Sequence, residues 1–514
     1  MTTEPFSAVD AAWLHMDKPT NMALIAGVMM FDTPIDFKRF KAIVEERLLI
    51  YDRFRQRVKE PRLHIGLPQW EFDPEFDLDY HVQRLKLPRP GDEVMLQKLA
   101  GVLMSIPLDP RRPLWQFHFV DGYGKGCAII PRLHHCIGDG LALVQVLLSM
   151  TDTAPDAERH APRAPSLVNY LQPSGNILQP VTGVVSRTVG AAESLAHEGL
   201  VTIAHPTRLV DAAKIGVLGV LAASKLLLLG EDRKTVFRGQ CGIEKRATWS
   251  TPMSLDDVKL VARAMDATVN DVLLAAVTGA LRRYLEARGQ SVSGLNIRTM
   301  VPVSIRAAED FDKLGNQFGL VILSLPIGVR DPIRRIVILK QRMDDIKGTP
   351  EAFVAFGILG TMGLTPVQIE DIIVKIFGAK VSAVMTNVPG PREPIYLAGQ
   401  QLKRIMFWVP QLANLSLGVS ILSYVGEVLV GVATDAGLVP DPEHIITAFD
   451  DEFASMQDWV KVHRSKLRTA KRLKSAPIAA EKDRCHATTK SGQLCRNRAL
   501  PGSTVCKVHQ LVIK

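Results

Sequence analysis

Between Arg132 and Leu143 the chain reads RLHHCIGDGLAL, which gathers two imidazoles, a thiol, a carboxylate and two glycines ahead of an apolar run. A neutral imidazole accepts protons well near pH 7, because its reference pKa is about 6.5. A metal site fits poorly: adjacent residues on a strand face opposite sides, so His134 and His135 do not readily share one ion. A general base needs only one of them. Gly138 and Gly140 would let a substrate approach closely, while Asp139 would pin the local backbone. The structural alternative is a strand-to-helix turn in which Asp139 caps the helix. Cys136, beside the candidate base, offers a rival route in which a thiolate forms an acyl-enzyme. A free cysteine in apolar surroundings is more often a small buried side chain.

A second constellation lies near the C-terminus. Cys485-x9-Cys495-x10-Cys506-x2-His509 supplies three thiols and one imidazole, a complete structural zinc set that leaves no open coordination position. It resembles short zinc-binding modules with a C…GxxC…CxxH pattern. The alternative is a basic tail with incidental cysteines. Lys482, Arg484, Lys490, Arg496, Arg498 and Lys507 surround the ligands and would make the module a small basic knob.

These residues must be positioned by folded elements. PLWQFHFV (113–120) places Trp115, Phe117 and Phe119 on one face and Gln116 and His118 on the other, as a strand does. CAIIPRL leads into the histidines as a second strand, although its Pro131 weakens that reading or puts the strand near a sheet edge. LALVQVLLSM after Gly140 reads as a buried helix. A linker is expected at 154–174 and a helical connector at 177–229. In the second half, Thr268 followed by Asp271 predicts a capped helix over 269–287, ending before Gly289. Strand-like runs recur at 297–303, 319–325, 383–387, 415–423 and 427–434. Strands alternating with helices in both halves predict an α/β protein of two layered domains. The boundaries are drawn at 1–165, 166–240 (connector), 241–460 and 461–514 (tail).

Composition narrows the class. The chain has 514 residues, 47% of them apolar, which supports large cores and excludes wholesale disorder. The first dozen residues lack the basic and apolar regions of a signal peptide. The most lipid-like run, 215–229, is too short to span a bilayer and is interrupted by Lys225. Six cysteines in so long a chain give no disulfide framework and favour a reducing cytoplasm. The net charge of +9 is uneven. Residues 461–514 hold 14 Lys/Arg against 2 Asp/Glu, and the remainder 48 against 51. Attraction to anionic surfaces therefore belongs to the tail.

Several stretches recur in an order that carries a resemblance. HHCIGDG matches the HHxxxDG motif of acyl-CoA-dependent acyltransferases, a superfamily that includes chloramphenicol acetyltransferases and condensation domains. FSAVDAAWLHMDKPTNM, PLW, HHCIGDG, TVNDVLLAAVTGALRRYL, VPVSIR, LGNQFG, TNVPGP and YLAG follow one another as in the bacterial wax ester synthase/diacylglycerol acyltransferase family. The resemblance covers roughly Pro5 to Trp459. MALIAG and SLGVSILSYVG differ from the commoner family versions, and both would line the acceptor pocket.

The resemblance implies two chloramphenicol-acetyltransferase-like domains with mixed sheets flanked by helices and an active-site tunnel between them. His135 would take the proton from an acceptor hydroxyl as it attacks an acyl-CoA thioester. His134 would pack or orient, and Asp139 would hold the loop. Asn270 would polarise a reacting oxygen or shape the site or, equally, belong to a helix start. Pro113, Leu114 and Trp115 would form a site wall or, equally, an aromatic core strand. Catalysis would need no cofactor, with acyl-CoA as donor and diacylglycerol or a long-chain alcohol as acceptor; the only metal expected is structural Zn2+ in the tail. A cytoplasmic protein held peripherally on an anionic membrane or lipid-droplet surface follows, with nucleic acid ranking behind lipid as a partner of the tail. The rival class is a non-catalytic lipid- or partner-binding protein on the same fold.

Overall fold

The computed structural model describes residues 3–61, 66–156, 226, 228–306, 314–347 and 349–475, and in the tail 485–488, 495, 497, 499–500 and 503–510. Most of the expected linker and connector, with the apolar run up to residue 225, lies outside the described residues, as do five of the six basic residues named around the tail ligands. The chain forms two compact units, Met1–Gln457 and Asp458–Lys514.

The larger unit is α/β, built on two mixed sheets. The first runs in the order Arg404–Trp408, Leu24–Phe31, Gly126–His134, Trp115–Tyr123, Val82–Lys86, antiparallel except for its last pair. The second runs Phe318–Leu325, Ile297–Ser304, Ala383–Pro389, Leu417–Tyr424, Glu427–Asp435, Lys245–Trp249, with a parallel centre and antiparallel flanks. The strands expected from alternation are present within two or three residues of their ends. The helix Val269–Ala287 begins at Thr268 with the expected capping box to Asp271.

Two features depart from the sequence reading. The strand Gly126–His134, which carries Pro131, is interior and not an edge strand. Pro131 has no N–H to give, and the ladder to Leu24–Phe31 accordingly skips a stretch between Ala26–Arg132 and Met29–Ile129. Gly27 faces that gap, where a Cβ would come 3.3 Å from the proline ring and 3.1 Å from the Met406 carbonyl. The strand Arg404–Trp408 crosses back from the second half to pair with Leu24–Phe31, so the first sheet is completed by residues from the other half. In the reverse direction, the helix Glu93–Met104 packs on the strand Lys245–Trp249; a Cβ on Gly101 would lie 2.8 Å from the Lys245 carbonyl. Arg404 and Glu93 close this exchange with an ion pair at 3.1 Å.

The helix Ala8–His15 matters most for the site. Ser7 caps it by accepting the Asp10 N–H at 3.0 Å, and Val9, Asp10, Ala11, Ala12 and Trp13 are buried. No helix among the described residues is long and apolar enough to cross a membrane.

Candidate active site and tail metal centre

The histidine strand ends where its backbone is claimed from two sides. His134 N–H donates to the Leu114 carbonyl at 2.9 Å and His135 N–H to the Ala23 carbonyl at 2.8 Å. A single 3-10 turn, His135–Ile137, follows, so the two rings diverge. His134 Nδ1 accepts the Cys136 N–H at 3.2 Å, and its Nε2 lies 3.8 Å from Asp17. Burial pushes the His134 pKa down to about 3, so this ring is a neutral structural acceptor.

His135 lies on the other side, stacked at 3.9 Å and 14° on Trp13 and tilted at 5.4 Å against Phe318. It is 4% exposed. Burial lowers its pKa to about 4, partly opposed by the Asp139 charge. At neutral pH the ring is wholly in its proton-accepting form. Its own carbonyl favours the protonated ring, although Nδ1 has no well-formed hydrogen bond.

Asp139 does two jobs at once. One oxygen accepts the Ala142 N–H at 2.9 Å and caps the helix Gly140–Ser149. The other accepts Arg306 at 2.7 Å and the Gln317 N–H at 2.9 Å. Asp139 thus caps the helix and ties its turn to Arg306 and Gln317. Gly138 and Gly315 meet as a β-bridge, with Asp139 N–H reaching the Gly315 carbonyl at 3.3 Å. Gly315 sits at φ +99, a conformation that favours glycine. Its neighbour Asn316 donates through Nδ2 to the His135 carbonyl at 2.8 Å and to Asp10 at 2.7 Å. The stretches 5–17, 134–140, 301–306 and 314–319, far apart in sequence, thus converge on one turn. Asp10, Trp13, Arg306, Asn316 and Gln317 were not singled out from the sequence. The available signal was that each lies inside a stretch carrying the resemblance.

The remaining expected residues divide. Open space flanks Gly140, since a Cβ there would meet nothing within 4 Å. Trp115 is in the aromatic core: it is fully buried, donates to the Phe54 carbonyl at 2.8 Å and stacks on His81 at 4.4 Å. Leu114 acts through the carbonyl that holds His134, and the Pro113 carbonyl accepts the Trp115 N–H at 2.8 Å. Asn270 is buried at the start of its helix and accepts from Asn387 at 3.0 Å; among the described residues no hydrogen bond joins it to the histidines. Cys136 is fully buried, and burial raises its thiol well above the usual range. That disfavours the thiolate a covalent route requires.

The tail unit brings Cys485, Cys495, Cys506 and His509 together, with their donor atoms all within 4.8 Å of one another. Cys506 Sγ lies 3.3 Å and Cys485 Sγ 3.5 Å from His509 Nδ1, and Cys495 Sγ lies 3.9 Å from Cys506 Sγ. Tetrahedral zinc with ordinary Zn–S and Zn–N lengths requires edges of about 3.8 Å for S···S and 3.5 Å for S···N. The donor set therefore fits zinc. Backbone bonds from Cys485 to Asn497 (2.9 Å) and from Cys495 to Ala487 (2.8 Å) fix two ligand backbones, and Asn497 Nδ2 donates to Cys506 Sγ at 3.7 Å.

Comparison with known proteins identifies the larger unit. The family model described as wax ester synthase/diacylglycerol acyltransferase catalytic domain matches residues 6–273, and the WS/DGAT C-terminal domain matches residues 314–457. A curated protein from Mycobacterium tuberculosis named "Probable diacyglycerol O-acyltransferase tgs1" is 28% identical over 461 residues, covering 88% of this chain and 95% of its own. Among solved structures, the wax ester synthase/diacylglycerol acyltransferase from Marinobacter aquaeolei VT8 superposes with a TM-score of 0.63 at 21% identity, over 88% of this chain and 98% of that one. The first condensation domain of the calcium-dependent antibiotic synthetase superposes with a TM-score of 0.54 at 14% identity, over 89% and 96%. The two mixed sheets are thus the fold shared by these acyltransferases and condensation domains, and the chain belongs to the wax ester synthase/diacylglycerol acyltransferase family.

Proposed function

We propose that His135 is the general base with which this acyl-CoA-dependent O-acyltransferase esterifies diacylglycerol or a long-chain alcohol. The observation that carries the reading is a buried, neutral imidazole held between Trp13 and Phe318, on a backbone pinned by Ala23 and Asn316. With Nδ1 sealed, Nε2 takes the acceptor's proton as the alkoxide attacks the thioester carbonyl. The tetrahedral centre then collapses, expelling CoA thiolate, which recovers the proton. Both substrates enter a tunnel between the two halves and react directly, so rate arises from proximity and a fixed ring orientation. Open space beside Gly140 suits close approach of the reacting groups. Asn270, with Asn387, shapes the second-half side of the site.

We propose the domain limits 1–165, 241–460 and 461–514, with the connector at 166–240. The tail carries one structural zinc on Cys485, Cys495, Cys506 and His509, and its basic charge draws the protein peripherally to an anionic membrane or lipid-droplet surface. The helix Val367–Gly378 supports that last point. Its carboxylates Glu370 and Asp371 turn to His15 and Lys18, while Ile369, Ile372 and Ile376 are 46%, 57% and 46% exposed. Such an inside-out helix suits an apolar surface better than water. The test is a product profile from purified protein given acyl-CoA and a panel of alcohols and diacylglycerols. Ester formation supports the reading; acceptor binding without ester contradicts it and favours the non-catalytic alternative.

A further inference from the structure

The face of the first sheet opposite the aromatic core holds an unbalanced charge. Along Trp115–Tyr123, Trp115, Phe117 and Phe119 point to the core, so Gln116 and His118 point the other way. Arg132 lies directly across from Gln116 in the register. These three side chains line an open cleft of about 620 Å³ whose walls include Leu85, Leu103 and Leu108.

Arg132 is 1% exposed. One guanidinium nitrogen donates to Gln116 at 3.0 Å, another to the Ile106 carbonyl, and Nε has no partner. Among the described residues no carboxylate comes within ion-pair distance of it. The acidic residue at the rim, Asp109, is held by Arg111 through two contacts of 3.0 and 2.9 Å. His118, 3% exposed, has no hydrogen-bond partner on either ring nitrogen. Burial holds it neutral, with Arg132 adding to that effect, so it offers one N–H. A buried cation without a counter-charge is costly, and so is a buried ring with two unmet polar atoms. One anion at this point would relieve both.

We infer that this cleft binds an amphipathic carboxylate of the fatty-acid class, with its head on Arg132 and His118 and its chain along Leu85, Leu103 and Leu108. The head group accepts from Arg132 Nε and the His118 N–H, the charge-assisted pairing a guanidinium fork makes well. The apolar walls beside the head-group residues suit an alkyl chain, which a bare inorganic anion lacks. The site is separate from the histidine turn and does not depend on the base assignment.

Calorimetric titration of the full chain with dodecanoate, and separately with inorganic phosphate, tests this. With the acyl tunnel saturated by acyl-CoA, dodecanoate is expected to bind at one further site in both wild type and His135→Ala, and at least tenfold more weakly in Arg132→Met. Where Arg132→Met fails to fold, His118→Phe and Arg132→Lys carry the test, the first weakening dodecanoate and the second retaining most of the affinity. Equal dodecanoate affinity in wild type and the folded head-group variants overturns the inference. Phosphate binding as tightly as dodecanoate overturns the amphipathic assignment.

Discussion

The histidine turn and the cysteine tail are both small polar constructions, but they are assembled in opposite ways. The tail draws its four ligands from 25 consecutive positions and, among the described residues, builds no apolar core beyond the ligands and two neighbours, Ala487 and Val505. The histidine turn draws its support from four distant stretches, and almost every member is buried. In the first case a metal would supply the folding energy that so short a segment lacks. In the second, tertiary packing supplies it, and the polar groups set where one ring points. Chemistry that ends in a closed ligand shell can be local; chemistry that needs a ring fixed in a dry site cannot.

The largest effect that would sharpen this contrast is loss of the metal. Structural zinc sites are worth about 10–16 kcal/mol of apparent binding energy at neutral pH. Wild type should carry one zinc per chain by elemental analysis, and a Cys495→Ser/Cys506→Ser double variant none, with acyl transfer to soluble acceptors retained in both. Equal zinc in the two proteins would break the tail half of the comparison. Next in size is Arg306→Ala, which strands the Asp139 carboxylate in a buried setting. Removing one partner of a buried pair costs about 3–5 kcal/mol, readable as a lower denaturant midpoint. An unchanged midpoint would mean that Arg306 and Asp139 do not hold the turn.

Smaller still is Trp13→Ala. It opens one side of the His135 ring to water, which weakens the desolvation that holds its pKa near 4. If His135 is the base, activity needs the neutral ring and is lost as pH falls through that pKa. The acid limb of the pH–rate profile should therefore move up, towards the ordinary histidine value. A profile superimposable on wild type would contradict the packing argument. Cys136→Ala should change turnover least, within about twofold, because the thiol is buried and unionised. An acyl group trapped on Cys136, with activity lost in the variant, would restore the covalent route.

How much of each region could be read from sequence follows the same division. Cys485, Cys495, Cys506 and His509 were legible as a set because spacing alone brings them together. His135 and Asp139 were legible because only three residues separate them. Asp10, Trp13 and Asn316 were not, since their roles exist only after the helix Ala8–His15 packs on the turn. The helix Val269–Ala287 and most second-half strands were visible in periodicity. The crossing strand Arg404–Trp408 was not, because strand order carries no local signal. Pro131 misled for a related reason: the rule that places proline at edges assumes an unbroken ladder, and here Gly27 and a gap in pairing absorb it.

The most direct test of the central claim is turnover of a folded His135→Ala protein, followed as CoA thiol release with acceptor present. Loss of a general base predicts a rate about 10²–10⁴ lower than wild type. A rate close to wild type would contradict the assignment of His135.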